Sequence, residues 1–384
     1  MKPRIYLTSV LVFVAPAVSW TNPQPPDRTE QTIPIQHPKV QLAILLDTSN
    51  SMDGLIDQAR QQLWQAVNEF SKAKRDGKTP VLEVAVYEYG NSGLDARRGY
   101  VRQVVGLTRE LDKVSEALFA LTTNGGDEYC GHVIAEAVSH LQWSTSPNDV
   151  KAIFIAGNEP FTQGPTPFTD AIAGAKTRGV VVNTIHAGDY QTGLNEGWQQ
   201  GALLAGGNYM SIDHNQAVVH VEAPQDERIA TLNARLNETY IPYGTEGAAG
   251  AARQQEQDSN SSGVSAGLLA ERARAKATAF YGNAKWDLVD AVEAGEADLD
   301  EMEPEALPEE MQAMAPEARK DFVDQKAKAR AELKAEIMEL SQQRDAYVAE
   351  QRKAQAEEGA DTLKEALTES VRQQAVNKSF VFAE

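Results

Sequence analysis

Apolar residues along the chain fall into alternating patterns. Val40-Gln41-Leu42-Ala43-Ile44-Leu45-Leu46 is a near-continuous apolar run of strand length, as expected of a central strand buried on both faces. Its polar end, Asp47 to Asp53, reads as a loop. Ile56, Ala59, Leu63, Val67 and Phe70 then recur at helical spacing, which predicts a helix packed back on the strand. Val81 to Tyr87, Val101 to Leu107, Val150 to Ala156, Val180 to Ile185 and Tyr209 to Ile212 read as further strands, the second of them at an edge or in a hairpin. Glu110 to Leu121, His132 to Leu141, Ala171 to Thr177 and Gly197 to Leu204 read as helices. This alternation predicts an α/β fold: a three-layer, doubly wound, mostly parallel sheet with helices on both faces. Binding loops of such sheets lie at the carboxyl edge.

After Val219 the pattern turns helical. Glu227 to Thr239 is a helix, and Gly244 to Gly263, rich in Gly, Ala, Gln and Ser, reads as mobile or loosely helical. Leu268 to Val292 favours helix but is interrupted at Gly282-Asn283. The acidic turn from Glu293 to Pro304 lacks calcium-loop spacing and reads as solvated. From Pro316 to about Glu358 the chain is strongly helical. Leu333, Ile337, Leu340 and Tyr347 follow a four-three seam that Arg344 interrupts, so a short coiled coil and a packed helical hairpin both fit. Leu363, Leu367 and Val371 suggest one more helix. The division is therefore 1–19 as a signal segment, 20–38 as a Pro-rich tether, 39–222 as the α/β domain, 223–265 as a connector and 266–384 as a helical region.

Composition narrows the function. Lys2 and Arg4, the apolar run Ile5 to Val14 and small residues at Ala15, Ala17 and Ser19 form an export signal pattern. The mature chain is expected in the periplasm or secreted, without a stable membrane span, because no later stretch is apolar and long enough. Among 384 residues, 55 are acidic and 36 basic, a net charge of -19 that disfavours nucleic acid as a partner. Cys130 is the sole cysteine, so no intramolecular disulfide forms. Cys130 and His132 invite a nucleophile reading, but no third orienting residue can be named, and a small buried thiol is the plainer account.

The remaining chemistry sits in the first loop. Asp47-Thr48-Ser49-Asn50-Ser51 has the form D-x-S-x-S at the end of a buried strand. One carboxylate and two hydroxyls suit a hard divalent cation, magnesium first, with manganese or calcium as alternatives. Low ligand charge leaves such an ion electrophilic. The plain alternative is a polar loop with local backbone hydrogen bonds.

Here the chain resembles the von Willebrand factor A-like family, from approximately Val40 to Val219. The resemblance implies that Ser49 and Ser51 touch the metal of a metal-ion-dependent adhesion site while Asp47 helps through water. A second loop usually offers a threonine after Gly-Gly; here Thr123-Asn124-Gly125-Gly126-Asp127 puts Asp127 in its place, with Thr123 as a weaker candidate. A third loop usually offers an aspartate; here Gly157 stands there, and Asn158 or Glu159 substitutes after a short shift. The expected metal set is Asp47, Ser49, Ser51, Asp127 and Glu159. Family likeness implies a non-enzymatic module that engages an acidic group of a protein partner. The apolar seam at Leu333, Ile337 and Leu340 separately suggests packing or self-association through the C-terminal helices. A metal-free interaction scaffold and a thiol or metal-assisted hydrolase are the rival readings.

Overall fold

The computed structural model describes residues 37–213, 220–355 and 363–382. The expected signal segment and residues 20–36 of the tether lie outside the described residues. Six strands form the main sheet: β1 (Lys39–Asp47), β2 (Val81–Tyr89), β3 (Val101–Thr108), β4 (Val150–Gly157), β5 (Val181–Ala187) and β6 (Tyr209–Ile212). Their order is β3-β2-β1-β4-β5-β6. All neighbours run parallel except β3, which lies antiparallel on the edge beside β2 with breaks in its register. The order reverses between β1 and β4, the switch point beside which open α/β sheets place their ligand sites.

Strand alternation divides the core. Leu42, Ile44 and Leu46 of β1 join one cluster with Leu55, Leu63 and Phe70 of α1 (Asp53–Phe70) and Val114 of α2 (Leu111–Ala120). Ala43 and Leu45 face the other side. There they meet α3 (Cys130–His140), α4 (Phe168–Thr177) and Trp198 of α6 (Trp198–Ala205), which follows the short α5 (Tyr190–Asn195). Both faces of β1 are therefore buried, as its continuous apolar run requires.

The helices after β6 are α7 (Asp226–Asn237), α8 (Gly247–Val264), α9 (Ala266–Ala277), α10 (Leu288–Glu293), α11 (Glu309–Gln312), α12 (Pro316–Gln355) and α13 (Leu363–Val376). The segment read as mobile or loosely helical contains the regular helix α8. A Cβ at Gly250 would collide with the Trp286 ring, so a residue without one lets the two pack. Buried Gln257 accepts from Ser115 Oγ at 2.8 Å, which ties α8 to α2. The seam residues Leu333 and Ile337, with Leu340, pack within the chain against Ile229, Leu232 and Leu236 of α7. Arg344 is no interruption: it is buried and donates to Asp226 at 2.6 Å and Glu271 at 3.1 Å. Helix α13 returns to the sheet, where Val371, Ala375 and Phe380 join the α1-side core. The α/β layers are thus completed by residues from the far end of the chain, with α7 to α12 set between β6 and α13. Among the described residues, no helix is long and apolar enough to cross a membrane.

Candidate metal-binding site

Asp47 ends β1 at the switch point and is fully buried. Its Oδ1 accepts from the Ser49 amide at 2.8 Å, while Oδ2 is buried without a hydrogen-bond partner. Burial, more than anything else, pushes this carboxyl up to about 6 from 3.8, against the lowering effect of Ser49. Ser49 is buried beside it and Ser51 is exposed at the loop tip. Asn158, just past β4, donates from Nδ2 to Ser51 Oγ at 3.2 Å, and its own Oδ1 is buried and unpartnered. Glu159 is half-buried; its carbonyl accepts from the Trp198 indole at 2.9 Å.

The second loop is pinned over the first. The Asn124 amide donates to Thr48 O at 3.0 Å, and Thr123 Oγ1 donates to Asp53 Oδ1 at 2.6 Å. Ser92 N donates to Gly125 O at 2.7 Å, and a Cβ on Gly126 would run into Gly90 O. That approach turns the next two residues apart. Asp127 is exposed, and its carboxylate accepts from the Tyr129 hydroxyl at 3.1 Å. It is Glu128 that lies inside. Glu128 Cγ and Asp47 Oδ1 each stand 2.8 Å from the point a Cβ on Gly90 would occupy. Burial first, then the charges of Asp47 and Glu159, push the Glu128 carboxyl up to about 7. The residue pattern of the second loop gave no sign of this, because one step along a loop decides which side chain faces in.

Gly157 has a steric reason to be glycine. It stands beside Asp47, whose Oδ2 would be 3.1 Å from a Cβ there, and the Tyr89 hydroxyl fills the remaining space. That hydroxyl donates to Ala156 O at 3.0 Å. We expect Gly157→Asp to destabilise the protein by about 1–3 kcal/mol through overpacking. Adding Tyr89→Phe should recover part of that loss in urea denaturation; strictly additive losses would remove Tyr89 as the cause.

Two buried oxygens without partners, beside acids whose charges oppose one another, fit a divalent cation. Among the described residues, no three His, Cys, Asp or Glu side chains gather closely enough to hold an ion by themselves. Hydroxyl or amide oxygens from Ser49, Ser51 and Asn158 are therefore needed alongside carboxylates. Among the described residues, no hydrogen bond joins Cys130 to a histidine or carboxylate that could serve as its base. Cys130 is buried, its thiol pushed up by that burial, and it contacts the Tyr89 hydroxyl at 3.7 Å. His132 is engaged elsewhere, with Arg98 O at 3.1 Å and Thr166 Oγ1 at 3.3 Å.

No protein-family model matches the chain, and no curated protein matches it. Solved structures similar to it include the SpRpn10 VWA domain, at 17% identity over 47% of this chain and 99% of that one, with a TM-score of 0.32. An aerotolerance-related membrane protein from Bacteroides fragilis NCTC 9343 is 16% identical over 45% of this chain and 92% of that one, with a TM-score of 0.31. Proximal thread matrix protein 1 from the mussel byssus is 12% identical over 55% of this chain and 62% of that one, with a TM-score of 0.33.

Proposed function

We propose that the chain is an exported, non-enzymatic protein-binding module of the von Willebrand factor A-like kind, and that its β1 loop holds a divalent cation. The observation that carries the reading is Asp47: a fully buried carboxylate at the sheet's switch point, one oxygen of which makes no hydrogen bond of good geometry, although the Asn158 backbone and Ser49 act on the carboxyl. Ser49 and Ser51 follow it at the spacing that offers two neutral oxygens, Asn158 just past β4 reaches Ser51, and the charge of Glu159 acts on Asp47. Magnesium or manganese would take this mixed oxygen set, with a partner protein completing the shell from the exposed side. Export rests on the basic and apolar pattern of residues 2–19.

Calorimetric titration of the protein with magnesium and manganese tests the reading. Wild type should bind one ion, Asp47→Ala should lose it, and Glu159→Ala should bind more weakly. Absence of both binding heat and thermal shift with any divalent ion would leave a metal-free scaffold as the better account.

A further inference from the structure

The family pattern assigns the second loop's contribution to a threonine, and the position after Gly125-Gly126 is Asp127. Yet Asp127 faces solvent and Tyr129, while Glu128 is buried beside Asp47. Several contacts hold it there. The Glu128 amide donates to Gln163 Oε1 at 3.0 Å, from the loop that follows β4. Gly126 presses against the Gly90 carbonyl, and Gly90 itself has φ +78°, a conformation open to glycine, at a point where a side chain would strike both acids. Two buried acids side by side are costly without a counter-charge.

We propose that Glu128 supplies a second carboxylate to the cation site, so that the chain neutralises the ion itself and the partner group it accepts is an uncharged oxygen donor. This rests on the reading that the β1 loop holds a divalent cation. The charge balance is direct. Asp47 and Glu128 together cancel a doubly charged ion before any partner arrives. A third carboxylate would then approach a neutral centre with Glu159 nearby, and a chain of net charge -19 adds to the repulsion. A backbone carbonyl, an amide or a hydroxyl oxygen meets no such opposition. The set also changes the preferred ion. Two carboxylates, two hydroxyls and an amide oxygen would offer five protein oxygens, a number that suits calcium better than magnesium, which keeps several of its waters.

The test uses the intact protein with calcium, manganese and magnesium as probes, read by calorimetry, and acetate as a carboxylate probe, read by water-proton relaxation of bound manganese. Wild type should favour calcium over magnesium, and millimolar acetate should leave the manganese signal unchanged. Glu128→Gln should weaken calcium binding at least tenfold and let acetate displace manganese-bound water. Asp127→Asn should bind like wild type. If wild type binds no cation, the underlying reading fails. If it binds but Glu128→Gln binds equally well, or acetate enters the wild-type site, only the assignment of Glu128 falls. Should Glu128→Gln not fold, Asp127→Asn still decides: weakened binding would return the role to Asp127, and wild-type binding would support Glu128.

Discussion

Arg272→Met is expected to cost about 3–5 kcal/mol of folding stability, the usual penalty for breaking a buried ion pair from one side. Arg272 is fully buried. Its guanidinium donates to Asp112 and to Asp258, both at 2.6 Å, and to Gln254 O at 3.0 Å, with Trp64 stacked 4.7 Å from it. Removing it leaves the buried Asp112 carboxylate, among the described residues, with the Tyr281 hydroxyl as its side-chain donor and Lys276 as a nearby charge. Asp258 fares better, because Lys276 at 3.1 Å and Asn233 and Asn237 at 2.8 and 2.7 Å remain. Asp112 should therefore account for most of the loss, and Arg272→Met combined with Asp112→Leu should be less damaging than Arg272→Met alone. Urea denaturation of the four proteins in the cycle measures this. A loss below about 1 kcal/mol for Arg272→Met would mean that packing, and not the ion pairs, joins α9 to α2. Helix α2 runs directly into the loop that carries Glu128, so the same network steadies one wall of the site.

Legibility followed side-chain chemistry. Strand β1 was plain because both its faces are buried, which forces an unbroken apolar run. The doubly wound order followed from strands alternating with helices. Helix α8 was not plain, because several of its buried positions are Gln254, Gln257 and Ser261, which leave no apolar stripe; the two glutamine amides are hydrogen-bonded inside the fold. Arg344 looked like a break in a seam for the same reason: a buried, paired arginine reads as an exposed one. Helix α13 could be found by its period, but its docking on α1 is a contact between distant parts of the chain that no local pattern encodes. In the site, Asp47, Ser49 and Ser51 were marked by their spacing after β1. Gly157 in place of aspartate had a visible counterpart, the bulky Tyr89 at the end of β2, once the register places both beside Asp47. Glu128 had none, since its direction depends on the close approach of Gly126 to Gly90.

Without divalent ions, wild type should lose stability as pH rises, and Asp47→Asn should lose much less. Burial holds the Asp47 carboxyl at about 6 in the folded protein, against 3.8 when exposed. Below about pH 3 it is protonated in both folded and unfolded chains, and its contribution is fully present. Between these values the unfolded chain has released the proton while the folded chain keeps it. The unfolded state then binds fewer protons, so stability falls with rising pH. Above about pH 7 the loss is complete and amounts to roughly 3 kcal/mol for a two-unit shift. Glu128, held at about 7, extends the decline upward. Asparagine fills the same space and carries no proton through this range, so the variant should match or exceed wild type at pH 8 and fall behind it towards pH 4. A bound cation reverses the order at pH 8. It supplies the missing counter-charge to wild type, worth about 2.7 kcal/mol at a hundredfold excess over Kd, and gives the variant little. Thermal melts of both proteins from pH 4 to 8, with and without manganese, measure each part. Parallel curves for the two proteins without metal would show that Asp47 is not held against ionisation, and the unpartnered oxygen would then lose its claim on an ion.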